Sequence, residues 1–228
     1  MGYDREKASD PRMNDVPSAL AKPGIDVLGD IRKTLRHGAE KPAVRDTGDH
    51  ILNPTLGPYA RWDGPPRDAA VLIPIIEHGN EPTVILTVRT AHLSSHAGQI
   101  AFPGGKIDRE DNGPAAAALR EAEEEIGLEP EAVRPIGELS PYLTGSGFKV
   151  IPVVAEVTPG HRLVANPHEV DDVFEVPLSF LMDPVNHLRQ SRVSDGQRRF
   201  FYAMPFGERY IWGVTAGIIR SLYETVYR

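Results

Sequence analysis

Two apolar runs separated by a short polar turn constrain the fold of this chain more than any other feature. The runs "AAVLIPIIE" (69–77) and "TVILTVRT" (83–90) are rich in β-branched residues, and "HGNEP" joins them. Such runs are typical of buried strands, and so short a connection favours antiparallel pairing. The sequence therefore predicts a β-hairpin, at which regular β-structure begins.

Other segments alternate between strand and helix patterns. Strands are predicted around 134–139, at 148–157 and in the short run "QIAFPGG", and a second hairpin is predicted around Asp195 and Gly196. Four helices are also predicted, at 24–38, at 114–126, at 176–183 and as a closing helix capped by Thr215. This pattern indicates one α/β (α+β) domain in which helices flank a mixed sheet.

The first 66 residues differ in character from the rest. Residues 1–23 are polar and are expected to form a mobile tail, whereas Ile25, Leu28, Ile31 and Leu35 have the spacing of one amphipathic helix. Residues 40–68 are expected to wrap irregularly against the core. We therefore predict an N-terminal extension, 1–66, and one main domain, 67–228. The extension has three open roles: covering the site, mediating a homodimer, or packing at an edge.

Composition excludes several classes of function. The chain has no cysteine, which excludes disulfides, thiolate metal sites and cysteine nucleophiles and favours a cytoplasmic location. Its net charge of −7 argues against a nucleic-acid surface. No apolar run has the length that a membrane span requires. The negative charge does not exclude a small phosphorylated substrate bridged by divalent cations.

The helix predicted at 114–126 contains four glutamates in five positions. At about 100° per residue, Glu121, Glu124 and Glu125 share an arc of about 100°, whereas Glu123 points elsewhere. The arc borders the apolar stripe that we expect this helix to bury, which consists of Ala115, Leu119, Ala122 and Ile126.

This arrangement opposes local preference. Like charges three or four residues apart cost a few tenths of a kcal/mol per pair, and carboxylates near a helix C-terminus oppose the helix dipole. Two interpretations follow: a solvated acidic face, or a site for a hard divalent cation such as Mg²⁺ or Mn²⁺, which would relieve the repulsion.

The run "REAEEEIGL" (120–128), preceded by "GG" at 104–105, resembles the Nudix box, the signature of hydrolases that cleave nucleoside diphosphates linked to another moiety. Its core, REUxEExGU with U an aliphatic or small apolar residue, is met in full. In the family pattern five residues separate a glycine from a glutamate. From Gly105 that position is Asp111, and the gap to Arg120 is one residue longer than the pattern. Whether Asp108, Asp111 or neither replaces the glutamate is left open.

The segment before the glycines carries a resemblance to one branch of the family. "LTVRTAHLSSHAGQIAFPGG" (86–105) is similar to the additional motif that marks the coenzyme A pyrophosphatase branch of the Nudix hydrolases. Further likenesses occur in "LTGSGFKVIPVV", "NPHEVDDVFEVPL" and "WGVTAGII", so that the resemblance spans roughly 69–220. It implies an α/β/α sandwich around a mixed sheet.

The resemblance also implies roles for the acidic residues. Glu121, Glu124 and Glu125 would bind Mg²⁺ or Mn²⁺ and take part in catalysis, and Arg120 would hold them in place as an ion pair. Glu169, in the "NPHEV" loop, is a candidate for activating water; its alternative is an ordinary exposed loop acid.

Substrate contacts are expected from residues that flank the carboxylates. Arg89 could pair with a phosphate through its planar fork, and His96 lies in a loop suited to substrate contact. Gln99 and Phe102 could shape the pocket, although Phe102 could equally belong to the core. Lys149 could touch a phosphate. The remaining expected contacts are backbone amides of the turn at Gly104 and Gly105.

The leading hypothesis is therefore hydrolysis of coenzyme A or its derivatives to 3′,5′-ADP and 4′-phosphopantetheine, or its acylated form. A second keeps the chemistry but changes the substrate to ADP-ribose, a dinucleotide or a nucleoside triphosphate. A third is a regulator that binds a nucleotide without cleaving it.

Overall fold

The elements of the fold are described by a computed structural model for residues 26–37, 47–54, 64–79, 81–92, 96–194 and 196–228. In chain order they are α1 (Val27–His37), β1 (Thr47–Gly48), α2 (Asp49–Leu52), β2 (Arg67–His78), β3 (Glu81–Arg89), β4 (Ile100–Ala101), β5 (Gly104–Lys106), α3 (Pro114–Ile126), β6 (Val133–Glu138), β7 (Tyr142–Leu143), β8 (Phe148–Val157), β9 (Val170–Pro177), α4 (Leu178–Met182), β10 (Leu188–Ser194), β11 (Gln197–Phe206), β12 (Arg209–Trp212) and α5 (Val214–Tyr227).

The main sheet is mixed, as predicted. β2 and β3 pair antiparallel through Ile75 and Val84, which confirms the first hairpin. On its other edge β2 runs parallel to β8 over ten residue pairs. The path of neighbouring strands is β1-β7-β8-β2-β3-β4, with β5 paired to β2, β6 to β8 and β9 to β3.

Alternation along β2 sends side chains into two separate cores. Ala70 and Leu72 pack in the cluster that includes the buried face of α3. Ala69 and Ile73 belong to the cluster on the opposite face, to which α1, α4 and α5 contribute. Helices therefore cover both faces of the sheet, and the predicted α/β/α sandwich is confirmed.

The segment 100–106 separates the ends of the central hairpin. β4 pairs with the end of β3 at Thr87 and Ala101, whereas β5 pairs with the start of β2 at Ala70 and Gly105. The chain thus runs between β2 and β3 where they diverge. This insertion brings the glycines of β5 beneath α3.

β9 is a strand of the main sheet that the sequence patterns did not predict. β9 pairs with β3 along most of its length, and its last two residues lie inside the range predicted for a helix at 176–183. The helix is shorter and begins at Leu178. Acidic residues at 171, 172 and 175 obscure the strand pattern, because β9 lies at the edge of the described sheet and its charged side chains reach solvent.

A small second sheet packs against α5. Its strands β10 and β11 form the predicted second hairpin, and β12 adds a third strand. The predicted capping role of Thr215 is wrong, because α5 begins at Val214 with Gly213 as its N-cap. The buried Thr215 hydroxyl instead donates to the Ile100 carbonyl of β4 at 2.9 Å.

The described parts of the extension are structured. The helix predicted at 24–38 is confirmed as α1, with Leu28 and Ile31 in the main core; Ile25 and Gly38 lie outside the described residues, as does the predicted tail. The wrap predicted at 40–68 is not wholly irregular, because β1 pairs parallel with β7 and α2 follows it. The boundary at 66/67 remains a prediction.

No helix in the described ranges is long and apolar enough to cross a membrane.

A buried histidine packed edge-on against Tyr223 of α5 gives a test of stability against pH. His187 is 1% exposed, and its Nε2 lies 2.7 Å from the Leu181 carbonyl, to which it can donate only when that nitrogen carries the proton. Burial lowers the pKa of His187 to about 4, helped by the nearby Arg220 cation. As pH falls, His187 therefore takes up a proton near pH 6.5 in the unfolded chain but only near pH 4 in the folded chain.

We expect the free energy of unfolding to fall as pH decreases through this window, and His187→Gln to remove that part of the loss. Gln retains an amide donor for Leu181 but does not titrate. Between pH 7 and pH 5 the wild type should lose about 2 kcal/mol more than the variant in urea unfolding. His161→Gln, at an exposed position, is the control. Equal pH dependence in the wild type and His187→Gln would contradict the assignment.

Candidate active site

The helix α3 begins and ends at glycines. Gly113 is its N-cap without a side-chain hydrogen bond, and Pro114 occupies the first turn, where no amide donor is needed. Gly127 ends the helix with φ 65°, a left-handed conformation that favours glycine, and its amide donates to the Glu123 carbonyl. The predicted stop at Gly127 is confirmed.

The three glutamates of the predicted arc differ in their access to water. Side-chain exposure is 54% for Glu124, 17% for Glu121 and 3% for Glu125. Glu123 is exposed, as expected for an ordinary surface acid. The arc therefore runs from solvent into the space between α3 and the sheet.

Glu125 is a buried carboxylate held by two donors. The Gly104 amide donates to Oε2 at 3.1 Å, and Arg89 Nη1 lies 3.5 Å from Oε1. Burial raises the pKa of Glu125 to about 7, and these two donors oppose the shift. The Gly104 amide is thus bonded to Glu125 in this structure, and the phosphate contact of the Gly104–Gly105 turn stays a prediction.

Glu121 lies directly over Gly105. A Cβ added at Gly105 would stand 2.5 Å from the Glu121 carboxylate carbon, closer than side-chain atoms approach one another. Burial raises the pKa of Glu121, against the opposing effect of Arg120. A side chain at Gly105 would therefore displace the Glu121 carboxylate from its present position.

Arg120 joins the acidic residues around it. Its Nη1 lies 3.0 Å from Glu121 and 3.3 Å from Glu124, and its Nη2 donates to the Lys106 carbonyl at 3.2 Å. Its Nε and Nη2 both donate to Asp111, each at 3.0 Å. The predicted ion pair between Arg120 and the glutamates is present.

Asp111 and Asp108 differ in their contacts with Arg120 and in their exposure. Asp111 has a side chain only 6% exposed and accepts two bonds from Arg120, which hold its pKa below the usual range. Asp108 is 60% exposed and lies 3.6 Å from Arg120. Asp111 therefore anchors Arg120, and the spacing from Gly105 was the sequence signal that pointed to it.

Glu169 lies near the buried carboxylates. It is partly buried, and its negative charge contributes to the raised pKa of both Glu121 and Glu125. Its carbonyl accepts from the Thr90 amide at 3.0 Å, which ties the "NPHEV" loop to the end of β3. The loop acid and the helix acids thus share one region.

The upstream segment folds back on itself beside this region. The Arg89 amide donates to the Gln99 carbonyl at 3.0 Å, and the Gly98 amide donates to the Arg89 carbonyl at 3.0 Å. His96 is exposed, with φ 59°, and its Nδ1 lies 2.9 Å from Gln99 Oε1. The structure therefore groups Arg89, His96 and Gln99 at the end of β3.

Two predicted contact residues are placed differently. The Phe102 side chain is 4% exposed and lies in the main core, which favours the packing alternative. Lys149 pairs with Asp68 at 3.5 Å. Asn166 is a residue that no sequence pattern singled out: its amide donates to the Glu125 carbonyl at 2.8 Å. Its position before proline, in a segment with turn residues, was the available signal.

No group of three or more acidic or histidine side chains among the described residues stands ready to enclose a cation. The Arg120 guanidinium bonds both Glu121 and Glu124. The donor chemistry nevertheless suits Mg²⁺ or Mn²⁺, since all the oxygens are carboxylate oxygens and two of the groups are desolvated by burial.

Comparison with known proteins identifies the family. A model of the NUDIX domain matches residues 65–196, more than half of the chain. The chain therefore belongs to the Nudix family of hydrolases.

Two bacterial relatives illustrate the similarity. The uncharacterized Nudix hydrolase NudL of Photorhabdus laumondii is 44% identical over 162 residues, covering 70% of this chain and 85% of the relative. NudL of Escherichia coli K12 is 44% identical over 160 residues, covering 68% and 81%.

Solved structures give looser matches. The Nudix hydrolase RenU of M. smegmatis is 25% identical with a TM-score of 0.41, covering 50% of this chain and 73% of its own. An Ap4A hydrolase of C. elegans is 20% identical with a TM-score of 0.40, covering 48% and 80%.

The Asp111–Arg120 pair should contribute measurably to stability. We expect Asp111→Asn to lower the free energy of unfolding by about 2 kcal/mol at pH 7, because it removes the charge from two charge-assisted hydrogen bonds at a poorly exposed carboxylate. Asp108→Asn should change it by less than about 0.5 kcal/mol, as for a surface ion pair. Urea unfolding of the three proteins measures both effects, and equal losses would refute the distinction between the two acids.

Proposed function

We propose that this protein hydrolyses the diphosphate of coenzyme A or its derivatives to 3′,5′-ADP and 4′-phosphopantetheine or its acylated form. The observation that carries the proposal is the contact between Arg89 and Glu125 at 3.5 Å. Arg89 belongs to the upstream segment that resembles the coenzyme A pyrophosphatase branch, and Glu125 belongs to the Nudix helix. The branch-specific residues and the hydrolytic carboxylates therefore lie side by side.

The metal in this proposal is Mg²⁺ or Mn²⁺, held by Glu121, Glu124 and Glu125. Burial and mutual repulsion disfavour the ionised forms of Glu121 and Glu125, and a hard divalent cation would favour them again. When bound, the cation would neutralise diphosphate charge and activate water. Arg120 would keep the carboxylates in place while releasing part of its contact with them.

The protein residues around the carboxylates would bind and orient the substrate. Arg89, with a side chain 27% exposed, presents a planar fork that can pair with phosphate oxygens. His96 and Gln99 hold each other at 2.9 Å at the open side of the same segment. Glu169 would orient or deprotonate the attacking water, because it approaches the cluster from the opposite loop.

Two alternatives keep parts of this scheme. The aspartate at the position of the family's glutamate, and the longer gap from there to Arg120, leave room for ADP-ribose, a dinucleotide or a nucleoside triphosphate as the substrate. A nucleotide-binding regulator is disfavoured, because a protein that only binds has less need to bury Glu125 and to crowd it with Glu121. A substrate panel ranked by kcat/KM separates the two enzymatic possibilities.

We expect purified protein to cleave coenzyme A in the presence of Mg²⁺ or Mn²⁺, with the products followed by chromatography. Glu124→Gln should lower kcat about a hundredfold or more, since losing even an outer partner of a metal costs 10- to 100-fold. Glu123→Gln is the matched control, because Glu123 is adjacent, exposed and outside the arc. Absence of cleavage at every metal concentration would reject the substrate, and unchanged turnover in Glu124→Gln would reject the metal site.

Arg89→Lys tests the substrate contact. Lysine keeps the charge but loses the fork, so we expect kcat/KM for coenzyme A to fall about tenfold. Arg134→Lys is the control, because Arg134 is 59% exposed and pairs with Glu156. The Mg²⁺ concentration for half-maximal activity should stay the same in both variants. An unchanged kcat/KM in Arg89→Lys would show that the fork does not bind the substrate.

A further inference from the structure

The end of α3 is capped by a loop that lies about forty residues further along the chain. The last carbonyls of a helix lack donors within the helix and need partners from elsewhere. Here the Val164 amide donates to the Ile126 carbonyl and the Asn166 amide to the Glu125 carbonyl, both at 2.8 Å. The final turn of the carboxylate-bearing helix is therefore tied to the "NPHEV" loop.

Asn166 is also the start of the turn that leads to Glu169. Its carbonyl accepts from the Glu169 amide at 3.0 Å and from the Val170 amide at 2.8 Å. Its side-chain oxygen accepts from the His168 amide at 3.1 Å, which closes an Asx turn. One residue thus bonds the backbone of Glu125 on one side and that of Glu169 on the other.

Glu169 is held from its other side by the main sheet. Its carbonyl accepts from the Thr90 amide at 3.0 Å, and Val170, which is 2% exposed, starts β9 in the core. Thr90 directly follows Arg89, the partner of Glu125. With both ends of the turn fixed, the conformation of residues 166–169 determines where the Glu169 carboxylate stands relative to Glu125.

We propose that Asn166 is a positioning residue that sets the distance between the Glu125 and Glu169 carboxylates. This inference rests on the proposed function, in which Glu125 holds the metal and Glu169 orients or deprotonates water. Asn166 acts through these two residues and does not itself touch the substrate. Because the helix cap and the turn share one residue, the two carboxylates move together as one unit.

The side chain of Asn166 can be tested separately from its backbone. Any substitution except proline leaves the backbone bonds to Glu125 and Glu169 possible, so Asn166→Ala removes only the bond from His168. Asn166→Asp keeps an oxygen in the same place and should restore the turn. The matched control is Asp183→Ala, because Asp183 makes the same kind of turn, accepting from the Val185 amide at 3.0 Å.

The first measurement is amide hydrogen exchange of the free full-length protein. Asn166→Ala should speed exchange in the peptide 163–172 about tenfold, whereas Asn166→Asp and Asp183→Ala should leave that peptide as in the wild type. Unchanged exchange in Asn166→Ala would overturn the proposal, because the side chain would then not hold the turn.

The second measurement is turnover of coenzyme A with Mg²⁺. Asn166→Ala should lower kcat about tenfold with KM within about twofold, and Asn166→Asp should recover most of the loss. In a Glu169→Gln background Asn166→Ala should lower kcat little further, since both changes would disable the same group, the Glu169 carboxylate. Full additivity of Asn166→Ala and Glu169→Gln would overturn the proposal, as would a kcat loss of equal size in Asp183→Ala.

The two proposals fail in different ways. If the wild type cleaves no coenzyme A, the proposed substrate is rejected, while the exchange of 163–172 still decides whether Asn166 positions the loop. If coenzyme A is cleaved but Asn166→Ala turns over like the wild type, the proposed function stands and the positioning role is rejected.

Discussion

Burial of the Glu125 carboxylate is the constraint on which the rest of the site depends. A carboxylate removed from water is costly unless donors compensate it, and here the donors are the Gly104 amide and the Arg89 guanidinium. These donors come from β5 and from the end of β3. The insertion of 100–106 between β2 and β3 is therefore what allows both to reach the same side chain.

Small residues make this approach between helix and sheet sterically possible. Gly104 has φ 151°, and a Cβ there would stand 2.6 Å from the Val71 Cα, so no larger residue fits between the strands. Gly105 leaves room for Glu121 above it. On the helix, Ala118 and Ala122 are fully buried against the sheet, which brings the backbone of α3 close. The same small residues therefore allow α3 to pack closely on the sheet and leave room for its carboxylates.

Local sequence patterns predicted the elements whose signals are periodic. The central hairpin, α1, α3 with its stop at Gly127, and the β10–β11 hairpin all follow from apolar spacing and turn residues. β9 was missed because its acidic residues interrupt the alternation of apolar and polar residues. An edge strand can carry such charges because part of it faces solvent. The role of Thr215 was wrong because a threonine near a helix start can equally bond a neighbouring strand, here at Ile100.

The residues of the candidate site were also predictable from the sequence only where they lie on a single element. Helical geometry grouped Glu121, Glu124 and Glu125 and set Glu123 apart, because all four lie on one rigid element. It could not rank their burial, since the insertion of β5 beneath the helix is a tertiary feature. The pairing of Asp111 with Arg120 and the capping of α3 by Asn166 are likewise contacts between segments, so no local pattern could decide them.

The charge around α3 limits what the site can accept. Within the described part of the chain, Arg89 and Arg120 are the cations whose charges act on Glu125 and Glu121, and Arg120 also bonds Asp111. A diphosphate approaching these groups alone would be repelled, because the single charge of Arg89 does not offset that of several carboxylates. An anionic substrate therefore needs additional positive charge at the carboxylates. In the proposed function the cation would therefore take part in substrate binding as well as in the chemistry, so metal and diphosphate should bind cooperatively.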